Sequence, residues 1–223
     1  MRSAGRQLAL GLCAALIAGC ASILAPRPDR SKFFLLTPAA GAPSVAATAP
    51  APAVLTIGLG PVRLPDYLDH DEIVTRAAPN RVELSGNDRW AEPLEASFRR
   101  VLATDLSTQL GHAQIVPFPW YRTTRLDYKI EVDVDRFDRN PSGDVQLIAR
   151  WTVRDGASNQ ILFARDSNIG ESALSPAMAD SVGAMSAAVG ELGNQIASAT
   201  RQLRQQRAAA GSVHSRERTA PVA

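Results

Sequence analysis

Alternating hydrophobic and polar residues mark the clearest elements of the chain. Between residues 127 and 135, Tyr128, Ile130, Val132 and Val134 alternate with charged residues. The same alternation returns at 145–153, after a turn at 140–143, and a third run follows at 160–165. A period of two places one face of a strand on a core and the other in solvent. The pattern therefore predicts three consecutive strands that form an antiparallel meander.

Shorter apolar runs predict further strands before the meander. They lie at 32–36, 54–59, 73–76, 81–84 and 115–118, and a turn at Pro79 and Asn80 joins two of them into a hairpin. The segment 60–68 contains Pro61 and Pro65. Because proline cannot donate a hydrogen bond to a neighbouring strand, we expect this segment to lie outside the centre of the sheet.

Two stretches have the spacing of amphipathic helices. The first begins near Ala91 and ends at Leu110, before Gly111, and the second runs from about Ser175 to Gln206. Within the second, apolar residues three and four apart form a heptad seam: Val182, Met185, Val189, Leu192, Ile196, Ala199 and Leu203. The seam fits a helix packed on the sheet or a helix shared with a neighbouring subunit. The predicted fold class is α/β, with a mixed, largely antiparallel sheet packed against two main helices in a single domain.

The N-terminus has the pattern of a bacterial lipoprotein signal peptide at 1–19. Its apolar stretch of about ten residues is too short to span ~30 Å of hydrocarbon. It ends in the sequence IAGC at 17–20, which resembles a lipobox. The resemblance implies an N-acyl, S-diacylglycerol Cys20 and no other cofactor. An ordinary export signal with an incidental cysteine is the alternative. Ala21, in place of an aspartate, favours the periplasmic face of the outer membrane.

The composition of the mature chain divides it into three segments. We predict a lipidated tether at 20–31, a single domain at 32–206 that includes an Ala/Pro loop at 38–53, and a disordered basic tail at 207–223. From residue 201 onward, five Arg and one Glu give a net charge of +4, whereas the whole chain is +2. No block of charge is large enough for a nucleic-acid-binding protein, so we predict no nucleic-acid partner.

Sequence motifs of enzyme chemistry are missing. Residues 58–61 match no phosphate-binding loop, and no GxSxG nucleophile motif occurs. Only His70, His112 and His214 are available to a catalytic triad. Residues 69–72 (DHDE) are adjacent, and successive side chains of an extended segment point to opposite faces, so they cannot all reach one ion. We predict neither a catalytic nor a metal site.

Aromatic residues in two loops are the candidates for a binding surface. The predicted partner surface comprises Tyr67, Leu68, Phe118, Trp120 and Tyr121. Aromatics with a polar tip suit protein interfaces and lipid contact, and both loops adjoin predicted strand ends, so we expect a shared rim. The alternative is that each aromatic closes an end of the core, which is the role that we predict for Trp90.

Several segments together resemble the ABC-type transport auxiliary lipoproteins, the PqiC/YmbA-like proteins. They are 64–69 (LPDYLD), 73–76 (IVTR), 89–94 (RWAEPL) and 127–132 (DYKIEV), behind the lipobox. The similarity covers about residues 31–205, and RWAEPL combined with YLD and IVTR is its specific part. Residues 70–72 (HDE) depart from the pattern of the family, in which a sequence such as Arg-Pro-Gln is expected.

The resemblance implies an auxiliary subunit of an intermembrane lipid transport system. In such a system the lipoprotein works with a periplasmic MCE-domain protein and its inner-membrane complex, and it carries no catalytic residues. We therefore expect a docking subunit, arranged as a homo-oligomeric ring that suits a tubular partner. The alternative is a periplasmic carrier that binds lipid in an apolar pocket of its own, usually of roughly 300 Å³ or more.

Overall fold

The computed structural model of the chain describes residues 29–39, 54–121 and 123–218. The signal peptide, Cys20 and most of the Ala/Pro loop lie outside the described residues. Within these ranges the elements are, in order, β1 (Lys32–Phe34), β2 (Thr56–Arg63), a 3-10 helix (Asp66–Leu68), β3 (Glu72–Ala78), β4 (Arg81–Trp90), α1 (Leu94–Gln109), β5 (Gln114–Pro117), β6 (Tyr128–Arg139), β7 (Val145–Asp155), β8 (Ile161–Glu171) and α2 (Met178–Arg218).

The antiparallel meander is confirmed, and its strands are longer than predicted. β6 pairs with β7 along its whole length, and β7 pairs with β8 in the same way. Alternate β6 residues, from Tyr128 to Val134, are buried, while those between them are at least partly exposed. The alternation ends at the register shift between Val134 and Arg136. Beyond that shift Phe137, Asp138 and Arg139 are all buried. Because the alternation stops there, the sequence pattern did not predict the last residues of the strand.

The other strands extend the sheet from the free edge of β6. The order along this path is β1-β4-β3-β6-β2-β5, with β7 and β8 on the opposite edge of β6. β2 pairs in parallel with β5 and with β6, and β1 pairs in parallel with β4, whereas β3 and β4 form the predicted hairpin. The sheet is thus mixed, and its longest ladders are antiparallel, as the sequence predicts.

Residues 60–63 form the end of a strand, whereas most of the rest of this proline-containing segment does not. β2 continues through Pro61 to Arg63, but its pairing with β5 ends at Leu59, so residues 60–63 have β6 as their only paired strand in the part of the chain that the structure describes. Its pairing with β6 shifts register between Leu59 and Val62. Pro61 falls inside this irregularity and beyond the end of β5, which agrees with the expectation that the proline lies outside the centre of the sheet.

Both helices pack on the sheet and enclose one hydrophobic core. The Phe98 ring of α1 meets Phe137 of β6 edge to face, with centroids 5.3 Å apart. The α2 seam from Val182 to Ala199 is buried within the subunit, and Leu203 is partly buried against the same core. This packing supports the first interpretation of the seam, because side chains buried in their own sheet cannot also serve a neighbouring subunit.

The second helix extends further than predicted. We expected it to end at Gln206, before a disordered tail, but α2 continues to Arg218. Residues 207–210 are Arg and three Ala, which favour helix without providing an apolar face, so periodicity gave no signal there. The last part of the predicted tail, 219–223, lies outside the described residues.

Candidate functional site

The strand directions define two ends of the domain. Arg139, the last residue of β6, pairs with Thr75 of β3. Because β4 is antiparallel to β3 and β1 is parallel to β4, Lys32 lies beside Asp88 near this same end. We call it the proximal end, since the polypeptide joins the domain there at Lys32. The distal end is at Tyr128, the first residue of β6, roughly 35 Å away at ~3.3 Å per strand residue.

Helix α2 links the two ends in the direction opposite to β6. Close to its start, the Arg139 guanidinium donates to the Pro176 carbonyl at 3.0 Å. Towards its other end, Arg207 lies over the Tyr128 ring at 4.7 Å from the centroid and forms an ion pair with Asp155. The Arg-rich end of α2 therefore belongs to the distal end of the domain.

The Tyr67 side chain belongs to a charge network at the proximal end. Its hydroxyl donates to Asp138 Oδ2 at 2.9 Å, and Arg76 donates to the same oxygen at 2.8 Å. Arg136 Nε donates to Asp138 Oδ1 at 2.9 Å, and Asp138 itself is fully buried. Burial, then the charge of Asp138, raises the pKa of Tyr67, so the hydroxyl remains a donor. The network fixes the 3-10 helix to β6.

An acidic groove of about 600 Å³ lies at the same proximal end. It runs between residues 64–72 and the start of α1, and Asp66, Asp69 and Asp71 line it. Two acids at the groove are paired: Glu95 with Arg99 at 3.4 Å and Glu72 with Arg89 at 3.3 Å. Among the residues that the structure describes, no three His, Cys, Asp or Glu side chains come together as a metal site would require.

The second aromatic loop lies at the distal end. β5 ends at Pro117, and the Phe118 N–H donates to the Leu59 carbonyl at 2.9 Å. The Phe118 and Trp120 rings meet edge to face at 5.1 Å. Trp120 is half-buried over β2, since a Cβ at Gly58 would lie 3.1 Å from its ring. Phe118 is 45% exposed and Tyr121 is 84% exposed, so a packed Trp presents two accessible aromatics.

A groove of about 1120 Å³ adjoins this loop. Its walls are formed by residues 120, 121, 123–127 and 129 and by the turn between β7 and β8, which includes Asn159. The walls meet at Gly156, whose N–H donates to the Asp127 carbonyl at 3.1 Å. A Cβ on Gly156 would lie 1.7 Å from the Leu126 carbonyl oxygen, so only glycine allows this approach. We call this cavity, with Trp120 and Tyr121 on its rim, the distal groove.

The carboxylates at the distal end already have hydrogen-bond or ion-pair partners. The amide N–H groups of Ser158 and Ala157, together with Arg207, hold the pKa of Asp155 at about 2. Asp127 Oδ2 accepts the Thr56 N–H at 2.8 Å. Glu131 pairs with Arg154 at 3.1 Å. These carboxylates are therefore already hydrogen-bonded or paired with an arginine.

The cations at the distal end have fewer partners than the acids. Lys129 Nζ donates to the Asn159 amide oxygen at 3.3 Å, and this partner carries no charge. Arg125, on the groove wall, and Arg204, one turn before Arg207, are exposed. Neither has a carboxylate within ion-pair distance among the described residues. The distal end thus combines exposed aromatics with an excess of positive charge.

The structure brings together only part of the predicted partner surface. Phe118, Trp120 and Tyr121 form one cluster, whereas Tyr67 lies near Asp138, about 30 Å further along β6 at ~3.3 Å per residue. The expectation of a shared rim is therefore wrong. Leu68 is 3% exposed and packs in the core, so it cannot contact a partner as predicted. Trp90 is 6% exposed and structural, as expected.

Sequence reasoning missed the basic and polar residues of the distal groove. Arg125, Lys129 and Asn159 meet because β6 pairs with β7, which places the turn after β7 beside the start of β6. No local sequence pattern predicts such a contact between distant segments. The dipeptide Asp155-Gly156 is typical of a turn, but it does not indicate what that turn approaches.

Two crystal structures share the overall fold. An uncharacterized protein has a TM-score of 0.62 and 18% identity over 76% of this chain and 98% of its own. Protein XCC0632 from Xanthomonas campestris, of the DUF330 family, has a TM-score of 0.60 and 15% identity over 80% and 99%. The PelC dodecamer from Paraburkholderia phytofirmans, with a TM-score of 0.38 and 12% identity over 64% and 89%, is too dissimilar to inform assembly. No curated protein matches the chain.

The fold and the sequence together define an auxiliary component of a transport system. Residues 34–197 match the ABC-type transport auxiliary lipoprotein component, and the chain belongs to this family. Membership in a lipoprotein family indicates attachment to a membrane through lipid. In the part of the chain that the structure describes, no helix has the length and hydrophobicity needed to cross a bilayer.

Proposed function

We propose that this lipoprotein is anchored to the outer membrane and docks the periplasmic MCE assembly of an intermembrane lipid transport system. The observation that carries the proposal is the distance between two features. The lipidated tether joins the domain at the proximal end, and the exposed aromatics Phe118 and Tyr121 lie at the distal end. A domain held at one end by its membrane presents the other end to the periplasm.

The length of the tether is compatible with this arrangement. Cys20 precedes Lys32 by twelve residues, which reach at most about 40 Å at ~3.3 Å each. Three acyl chains would make the attachment effectively permanent, since each buried CH₂ contributes roughly 0.8 kcal/mol. The domain is then confined near the inner leaflet of the outer membrane, and an assembly that spans the periplasm must reach up to it.

The packing of apolar residues favours docking over carrying. The apolar faces of the sheet and of both helices are used in one continuous core. The two large grooves lie at the surface and include charged side chains, among them Asp66 in one and Lys129 in the other. A carrier needs an enclosed apolar site for acyl chains. Stoichiometric phospholipid bound to the purified domain would favour the carrier instead.

The proposed role is non-catalytic. His70 is at the proximal groove and His112 follows the end of α1, which lies at the distal end because Arg201 donates to the Gln109 carbonyl there. The two imidazoles are thus separated by the length of the domain. Several copies around a tubular MCE assembly would complete the complex, and since the α2 seam is buried, any contact between copies uses other surfaces.

Capture of partners from envelope membranes tests the proposal. The tagged full-length chain should retain the MCE-domain protein, and the eluate should contain it by mass spectrometry. In parallel, the variant Cys20→Ala should lose palmitate labelling and appear as an uncleaved precursor. Labelled Cys20→Ala would contradict the anchor, and an eluate without MCE-domain protein would contradict the docking role.

A further inference from the structure

Positive charge and exposed aromatic side chains occur together at the distal groove. This combination favours a ligand that carries both carboxylates and apolar groups. Arg125 and Lys129 line the groove, and the only acid on its wall, Asp127, already accepts the Thr56 N–H. The neighbouring acids Glu131 and Asp155 are occupied by arginines. A ligand with carboxylates would therefore meet two cations without a carboxylate partner among the described residues, and one carboxylate, Asp127, that is hydrogen-bonded to the Thr56 N–H.

We infer that the distal groove binds an acidic segment of the partner protein. Carboxylates of the segment pair with Arg125 and Lys129, and apolar side chains pack on Trp120 and Tyr121. The inference rests on the proposed docking function and specifies which chemistry the partner presents. Tyrosine, tryptophan and arginine are enriched where protein interfaces gain most of their affinity, and complementary charge mainly accelerates association.

The position of the groove favours a protein segment over a lipid surface. The lipidated tether joins the proximal end, which also carries Asp66, Asp69 and Asp71, so the basic end lies at the opposite end of the domain from the attachment point. The site is also a groove of about 1120 Å³ between two walls, which suits an inserted chain segment. A bilayer surface is flat and would contact only its rim.

Rigid support of the groove makes recognition of one segment feasible. Gly156 holds the turn after β7 against residues 126–127, and Trp120 packs against Gly58 of β2. Trp120 thereby ties one wall to the interior strand β2, and the Gly156 N–H ties the other wall to the Asp127 carbonyl. Groups held in place before binding lose less entropy when the complex forms.

Charge reversal at the groove tests this inference. The full-length chain in detergent should bind the purified MCE-domain protein of the same organism, with affinity that falls as NaCl rises. The variant Arg125→Glu plus Lys129→Glu should weaken binding at least ten-fold and flatten the salt dependence. Arg125→Gln plus Lys129→Gln, which adds no repulsion within β6, should weaken it several-fold with an unchanged melting temperature.

A matched control removes the same charges elsewhere. Lys32 and Arg165 are exposed and lack ion-pair partners among the described residues, so Lys32→Glu plus Arg165→Glu should change affinity less than two-fold. Equal affinities for the groove and control variants would overturn the inference and leave docking intact. If the wild-type chain does not bind the MCE-domain protein, docking fails as well.

Vesicles of phosphatidylglycerol test the remaining possibility, which is that the groove binds an anionic lipid surface. The wild-type chain without its acyl groups should not bind these vesicles at the salt concentration that supports partner binding. Vesicle binding that depends on Arg125 and Lys129 would assign the groove to an anionic lipid surface and overturn the assignment to an acidic protein segment.

Discussion

The proximal and distal ends of the domain use the same kind of loop in opposite ways. At each end a proline-flanked turn carries an aromatic residue, Tyr67 after Pro65 and Tyr121 after Pro119. Tyr67 finds a buried carboxylate, Asp138, and becomes part of the framework. Among the described residues Tyr121 has no such acceptor, and it remains 84% exposed. The fate of a loop aromatic thus depends on what the neighbouring strand offers, which makes one end structural and the other available for binding.

Removal of the buried carboxylate should have the largest effect on stability. Asp138→Ala leaves Arg76 and Arg136 without their shared partner, and loss of one member of a buried ion pair costs about 3–5 kcal/mol. Because both arginines are partly exposed, we expect the lower part of that range in urea unfolding. As a control, Asp166→Ala breaks the exposed pair with Arg150 and should cost about 0–1 kcal/mol. Equal losses for the two variants would remove the structural distinction between the ends.

Truncation of the distal aromatics should affect binding and not stability. Phe118→Ala plus Tyr121→Ala should weaken capture of the MCE-domain protein at least ten-fold, which corresponds to about 1.4 kcal/mol. Calorimetry should show the melting temperature within a few degrees of wild type, since both side chains are exposed. The control Phe33→Ala plus Leu174→Ala removes exposed apolar side chains elsewhere and should leave capture unchanged. Equal capture by both double variants would contradict the assignment.

A third carboxylate, Asp105 of α1, can be compared with Asp138, because it is also buried but has no cationic partner among the described residues. It is 3% exposed, and burial raises its pKa to about 6 although the Ala39 N–H donates to Oδ1 at 3.0 Å. The unfolded value is about 3.9, so between these values the folded state binds more protons than the unfolded state. Stability should therefore fall as pH rises from about 4 to about 6 and stay lower above it, by roughly 2–3 kcal/mol.

The substitution Asp105→Asn tests that dependence. It keeps an acceptor for the Ala39 N–H and removes the charge, so stability at pH 8 should rise by about 1–2 kcal/mol. Unfolding in urea at pH 4, 6 and 8 should show a smaller decline with pH than the wild type. Asp166→Asn, at an exposed position, provides the control. Identical pH profiles for wild type and Asp105→Asn would show that Asp105 titrates normally.

The smallest expected effect compares the two tyrosine hydroxyls directly. Tyr67→Phe removes one hydrogen bond to Asp138, which keeps its two arginine donors, so the loss should be about 1 kcal/mol. Tyr121→Phe removes a hydroxyl that faces solvent and should change stability by less than about 0.5 kcal/mol. Differential scanning calorimetry of the two variants would detect the difference. A reversed order would contradict the placement of Tyr67 in the framework.

Prediction from sequence succeeded where local pattern carries the information. Strict alternation identified β6 and β7, and the 3–4 spacing identified the buried face of α2. It failed for part of the predicted partner surface, because Leu68 is buried in the core and Tyr67 donates to Asp138, a residue far away in the sequence. The candidate site was half predicted, because an aromatic loop is visible in sequence. Whether its aromatics are exposed, and which cations join them, depends on strand pairing between distant segments.

Site-specific photocrosslinking in living cells tests the central claim most directly. A photoreactive residue in place of Tyr121 should yield a covalent product with the MCE-domain protein from the full-length, lipidated chain. The same residue in place of Asp66, which is exposed at the proximal end, should yield no such product. A product from position 66 alone, or none from position 121 at equal expression, would contradict a domain that is anchored at its proximal end and docks its partner at its distal end.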